Sequence, residues 1–416
     1  LKLKLEKEFL GNTNTKNMIV KEVLYMNKRN ILLLATLVLV LCFGGFMIMD
    51  VVAWESSTKK EDAQILLDSM SLEEKLEQMI IIDIPYIYED NNQVNFTKVT
   101  ESVKEFFKTR KPGGIILSKN NMINKEQTTM MISEIQNMKD KVPFFITVDE
   151  EGGRVSRIPI KLNIQAATEI GNTGNPKKAF EAAQTIGKAL KQLGFNVDYA
   201  PVMDVNTNPN NPIIGDRAFS SDPKIVSQFG VEFINGLRKE GILSTAKHFP
   251  GHGDTSADSH KGFVEVSHDI NRIRNVELLP FREAIKNNVD FVMVGHISVP
   301  ALDSSRTPAS LSKPIVTDLL KNEMGFKGVV ITDALDMGAI TQNYDKYESV
   351  KLAINSGNDI ALMPDITITP GKDISQYDEL IKYLKDEVNK GNIKQERIDD
   401  AVMRILKAKE KVKGNI

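Results

Sequence analysis

The chain has 416 residues, 41% of them hydrophobic, and 53 Lys+Arg against 55 Asp+Glu leave a formal net charge of −2. Signs this balanced exclude the basic face of a nucleic-acid binder, and a single cysteine excludes a disulfide scaffold, a Cys-only zinc site and an iron–sulfur cluster. With 5 histidines and 55 acidic residues, the accessible chemistry is that of carboxylates and imidazoles.

Residues 1–30 are read as a cytoplasmic or extraneous extension, because Met26-Asn27-Lys28-Arg29 has the form of a natural start. Residues 31–49 form an uncharged apolar run behind Lys28-Arg29. At about 1.5 Å per residue a helix of this length nearly spans a bilayer core of about 30 Å, and the basic flank keeps the N-terminal side cytoplasmic. Two export readings follow: an uncleaved signal anchor, which the length favours, or a signal peptide cleaved after Val51-Val52-Ala53. Leu41 before Cys42 is too large for a lipoprotein signal. The expected location is the outer face of the membrane or the exterior, with the N-terminal segment as the membrane contact. Residues 50–62 are a spacer and 63–416 the folded domain.

From there short apolar runs alternate with amphipathic stretches, the pattern of βα units around a parallel sheet. Strands are expected near 79–82, 114–117, 144–149, 196–200, 243–248, 291–296, 329–333 and 360–363, and helices over 125–138, 176–193, 224–239, 272–287, 314–323, 348–355, 378–390 and 395–411. Eight strands with helical crossovers fit an α/β fold of the (β/α)8 TIM-barrel type, with an open doubly wound sheet as the competitor. The first strand is not followed by a glycine-rich nucleotide motif, which weakens the competitor.

Polar residues recur at the strand ends: Asp149, Asp204, Lys247-His248, His296 and Asp333. In a barrel these meet on the C-terminal face, where active sites are built. Three of the histidines, His248, His252 and His260, lie in one loop. The i, i+4 spacing of His248 and His252 would offer a metal two ligands on a helix, but Pro250-Gly251 breaks any helix there, so no metal or cofactor is expected. Asp258 and His260 are close enough in a bent loop for the carboxylate to orient the imidazole as an acid/base.

Lys247-His248-Phe249-Pro250-Gly251-His252-Gly253-Asp254-Thr255 followed by Asp258-Ser259-His260, with DEEGGRVSR at 149–157, IGDRAFSSDP at 214–223 and ITDALDM at 331–337, closely resembles the β-N-acetylglucosaminidases of glycoside hydrolase family 3. The likeness runs from about Leu67 to Lys411. It implies a barrel catalytic domain and retaining hydrolysis through a covalent glycosyl–enzyme intermediate. Asp333 is similar to the nucleophile, and Asp258 with His260 resembles the dyad that replaces a carboxylic acid/base in this branch. Asp149, Arg157, Arg217, Lys247 and His248 look like the residues holding the sugar, whereas Arg154, His252 and Asp254 match positions assigned to loop structure. A second C-terminal domain, common in the family, is not expected.

Elementary chemistry supports these roles. Retention needs a carboxylate facing the anomeric carbon and a proton donor close by, and imidazole can donate and then accept near neutral pH. Asp333, flanked by Arg and Lys, is expected to stay ionised. Because imidazole does not repel an anion, phosphate is expected to compete with water for the intermediate. The expected substrate is a glycan ending in β-linked N-acetylglucosamine, from peptidoglycan fragments, with no nucleic-acid partner and a monomeric chain. Chito-oligosaccharides, a β-glucoside, or a non-catalytic sugar-binding role are the alternatives.

Overall fold

Strands buried on both faces are the mark of a parallel sheet wrapped by helices, and the apolar runs of this chain behave that way. The computed structural model describes residues 62–256, 262, 264–363 and 365–413; one structural unit spans Leu66–Ile416. The barrel strands are β1 (Ile80–Asp83), β2 (Gly114–Ile116), β3 (Phe145–Val148), β4 (Val197–Asp198), β5 (Leu243–Phe249), β6 (Phe291–Val294), β7 (Val329–Thr332) and β8 (Ala361–Leu362). Every residue of β3, β5, β6 and β7 is buried.

Each strand pairs in parallel with its neighbours in chain order, from Ile81 opposite Gly114 to Val329 opposite Phe291. β1 also pairs with β8, Ile80 opposite Ala361. The last seam closes through the Ile331–Ile360 bridge, the Thr332 N–H donating to the Ile360 carbonyl at 3.1 Å and the Asp359 N–H to Val330 at 2.7 Å. This closure removes the sheet edges that a doubly wound alternative would leave, so the fold is the (β/α)8 barrel. At its N-terminal end Phe145 and Phe291, on non-adjacent strands, meet edge to face with centroids 5.3 Å apart. Nζ of Lys409 lies 4.9 Å from the Phe145 ring and donates to Gln78 at 2.7 Å. Among the described residues the barrel is therefore plugged below.

The outer helices are α1 (Leu72–Gln78), α2 (Glu101–Thr109), α3 (Lys125–Asn137), α4 (Lys177–Leu193), α5 (Pro223–Glu240), α6 (Leu278–Lys286), α7 (Pro314–Glu323), α8 (Lys346–Ser356), α9 (Ser375–Asn389) and α10 (Gln395–Glu410). α4 and α5 pack so closely that a Cβ on Gly236 would sit 2.5 Å from the Phe180 carbonyl oxygen. Two expectations are corrected. The helix expected over 272–287 is two, Ile270–Asn275 and α6, because Pro280 lacks an N–H and its ring clashes with the carbonyl four residues back. α7 occupies the expected residues but is π-helical. A hairpin, Tyr86–Glu89 with Asn92–Asn95, also interrupts the rhythm; Asp90 and Asn91 turn it at φ 48 and 64.

The apolar run at 31–49 lies outside the described residues, as do Asp258 and His260. Among the described residues no helix is long and apolar enough to cross a membrane.

Candidate active site

The open end of the barrel holds a cavity of about 460 Å³, lined among others by Asp149, Glu151, Arg157, Tyr199, Arg217, Lys247, His248 and Asp333. Asp333 and the five residues expected to hold sugar thus share one pocket. They come from four places in the chain: the loop after β3, the loop after β4, β5 itself, and the end of β7.

The basic wall is built on a buried ion network. Lys247, 2% exposed, places Nζ 2.6 Å from Asp149 and 2.7 Å from Glu151. Arg217 forks onto Glu151 with Nε and Nη2 at 2.9 and 2.8 Å. Burial alone would raise the Glu151 carboxyl, but Lys247 and Arg217 together hold it well below the usual carboxylate range. Burial likewise opposes charge on Lys247, and Asp149 and Glu151 outweigh it, raising its pKa. Lys247, Arg217 and Glu151 therefore remain ionised at neutral pH, fixed with Asp149 as donors and acceptors around the pocket. Glu150, next in sequence, turns inward: its Oε2 accepts the backbone N–H groups of Arg157 at 2.7 Å and Ile158 at 3.1 Å. That pair of bonds fixes the loop from which the Arg157 side chain reaches the cavity.

A second buried carboxylate organises β5. Asp204, fully buried, lies 2.7 Å from Nδ1 of His248 and accepts the His252 N–H at 2.6 Å. Burial would raise its pKa, but His248 and His252 lower it. An ionised carboxylate can only accept, so Nδ1 of His248 carries the proton and the ring is held in one orientation. His252 is turned away onto Thr255, Nδ1 to Oγ1 2.7 Å, and burial pushes its pKa down to about 4. It is neutral at pH 7.

Asp333 follows β7 and is anchored at both ends. Its N–H donates to Val294 at 2.9 Å, and its Oδ1 accepts from the Ala334 N–H at 2.8 Å. Burial would raise its pKa; His248, His296, the Ala334 N–H and Lys247 together lower it. Of the expected arginine and lysine, Lys247 takes part, but two histidines come first and no arginine is among the leading groups. His296 in turn is fixed between Ser310 at 2.7 Å and the Ala334 carbonyl at 2.8 Å.

Sequence reasoning singled out neither Glu150 nor Glu151, and noted Asp204 only as a polar strand end. The run of three acids closing an apolar strand was the available signal for the first two. For Asp204 the signal is its partner, which sits 44 residues away in sequence.

The profile of the "Glycosyl hydrolase family 3 N terminal domain" matches residues 71–408, which takes in the whole barrel and all of these motifs. The chain belongs to glycosyl hydrolase family 3. Among its family relatives, "Beta-hexosaminidase A" of Pseudoalteromonas piscicida is 36% identical over 375 residues, covering 82% of this chain and 62% of that protein. "Beta-hexosaminidase LpqI" of Mycobacterium tuberculosis is 34% identical over 286 residues, 67% of this chain and 71% of its own. Among solved structures, a family 3 β-N-acetylglucosaminidase from a Paenibacillus species superimposes with a TM-score of 0.76 at 33% identity, covering 82% of this chain and 63% of that one. The chain thus spans less than two thirds of the Pseudoalteromonas and Paenibacillus proteins.

Proposed function

We propose that this family 3 chain is a retaining exo-β-N-acetylglucosaminidase that removes terminal β-linked N-acetylglucosamine. The observation that carries the reading is an ionised carboxylate, Asp333, on the rigid end of β7, in the same blind cavity as the fixed polar groups of Lys247, Arg217, Arg157 and His248. A cavity closed below and open at one end suits a chain terminus, and buried donors reject sugars lacking the matching group.

The chemistry takes two steps. Asp333 attacks the anomeric carbon, the bond to the aglycone oxygen breaks, and that oxygen takes the electron pair together with a proton from His260, which Asp258 orients. Water then gives a proton back to His260 and attacks the anomeric carbon, releasing the Asp333 carboxylate and the sugar. Lys247, Arg217, Asp149, Arg157 and His248 hold the sugar throughout. The natural substrate we assign is peptidoglycan-derived glycan met outside the membrane. The apolar run at 31–49 supports the location outside the membrane, as does a relative named "Uncharacterized secreted glycosyl hydrolase" from Arthroderma benhamiae, 31% identical over 317 residues.

The deciding experiment assays wild type, Asp333→Ala and His260→Ala on an aryl N-acetyl-β-glucosaminide. Asp333→Ala is expected to lose on the order of a thousandfold or more. Equal activity in all three variants removes the assignment. Trapping a fluorinated sugar on Asp333 separates an enzyme nucleophile from acetamido-assisted catalysis, which a tightly bound thiazoline mimic would favour instead.

A further inference from the structure

Two side chains on either side of the segment containing Asp258 and His260 touch each other. His268 Nε2 lies 2.5 Å from Asp254 Oδ2, although the residues are 14 apart in sequence. Asp254 is itself tied to the barrel: its Oδ1 accepts the Thr207 hydroxyl at 2.6 Å. Thr207 Oγ1 in turn accepts from Arg272 at 3.1 Å, and Arg272 reaches Glu277 at 3.2 Å. The stem on the Asp254 side is held further by the Asn208 amide on the Thr255 carbonyl, 3.1 Å. At Gly253 the backbone passes so near Val205 that a Cβ would lie 1.9 Å from its carbonyl oxygen. On the other side Val264–Glu265 pairs with Ile297–Ser298, and only two residues make that ladder. Asp254 and His268 keep 26% and 33% of their side-chain surface exposed. The core does not need this pair for packing, and a partly exposed side-chain pair of this kind contributes little to overall stability.

We infer that Asp254 and His268 are positioning residues for proton transfer: their contact ties together the two stems of the segment bearing Asp258 and His260. The inference rests on the proposed function, in which that dyad supplies the proton. Fixing both ends of a segment removes chain conformations in which its interior residues lie away from their target, and the rate falls with the fraction of productive conformations. The sugar is held by Lys247, Arg217 and Arg157 from other strands, so loss of the tie slows protonation of the leaving oxygen without loosening the sugar.

Leaving-group dependence tests this, because a dinitrophenyl aglycone departs without a proton and a phenyl aglycone needs one. We expect His268→Ala and Asp254→Asn to lower kcat/KM about tenfold for the phenyl glycoside, part of the roughly 10²–10⁴-fold that acid catalysis supplies. For the dinitrophenyl glycoside kcat/KM is expected to stay within about twofold, which also reports that the variants are folded. His268→Gln, whose amide can still donate to Asp254, is expected to recover most of the phenyl activity. Equal losses on both aglycones, or none on the phenyl glycoside, overturn the tie. His260→Ala is the companion measurement. If it separates the aglycones and His268→Ala does not, the tie fails while the functional reading stands; if His260→Ala does not separate them, the reading falls and takes the tie with it.

Discussion

Asp204 and His248 form a buried carboxylate–imidazole pair, 2.7 Å apart, and His248 is the leading positive influence on Asp333. The carboxylate acts on the proposed nucleophile through the ring. Asp204→Asn is therefore expected to shift the acid limb of the kcat/KM profile toward higher pH, because the His248 ring that lowers the Asp333 pKa is no longer held by a carboxylate and Asp333 becomes easier to protonate. Removing a buried charged hydrogen bond should also cost about 2–3 kcal/mol of stability, read by denaturant unfolding. An unmoved acid limb beside a lowered midpoint would leave Asp204 with a structural role alone.

Lys247 sits between Asp149 and Glu151, so its loss strands a buried anion, Glu151, beside a half-buried Asp149. Lys247→Met is expected to destabilise the fold by about 3 kcal/mol or more. The double variant Lys247→Met/Asp149→Asn should recover part of this, because the two groups are in contact and their effects do not add. Additive losses would show that the two charges are screened independently.

The lowered pKa values of Glu151, Asp204 and Asp333 give a direction to acid sensitivity. A carboxylate whose folded pKa lies below its unfolded value of about 4 contributes stability in full above that value. The contribution is lost as pH falls through the folded pKa. Thermal midpoints should therefore fall away below about pH 4, and Glu151→Gln should flatten that fall.

Glu77 works in the opposite sense. Burial pushes its pKa up to about 7, against the Lys111 N–H and the Tyr377 hydroxyl that favour its charge. Its cost is absent while the group is protonated in both states and grows as pH rises from the unfolded value toward 7. Glu77→Gln is expected to be close to neutral at about pH 4, to stabilise by about 1 kcal/mol at pH 5 and by up to about 3 kcal/mol at pH 9. A pH-independent difference would contradict this.

Substrate choice offers a separate measurement. The aryl N-acetylglucosaminide is expected to be turned over at least about a hundredfold better than the aryl glucoside, the scale on which unpaired buried polar groups discriminate. Adding millimolar phosphate should yield some sugar phosphate if an imidazole accompanies the intermediate. Free sugar as the sole product would exclude that competition.

Much of the barrel was legible because its signals are local. The eight apolar runs mark the eight strands to within a residue or two, and Asp149, Lys247, His248 and Asp333 already stand at strand ends. Ser71 and Glu74 even form a reciprocal capping box for α1, a signal present in the sequence that the strand-and-helix rhythm passed over. What stayed hidden is pairing across distance. Nothing near Asp204 says that it faces His248, and nothing near Glu151 says that Arg217, 66 residues on, forks onto it. Such partners are chosen by which strands become neighbours. The break before α6 was legible in Pro280, but the amphipathic pattern on both sides of it outweighed the proline.

The pairing of Ile80 with Ala361 has a consequence in time as well as in space. β1 is among the earliest parts of the barrel to be synthesised, yet one of its two neighbours is the last strand of the ring. Until that strand arrives, both ends of the growing sheet present unpaired backbone, a template for joining other chains. A chain stopped before residue 361 is therefore expected to aggregate rather than to behave as a smaller stable barrel. The ring becomes self-limiting only when its first and last strands meet.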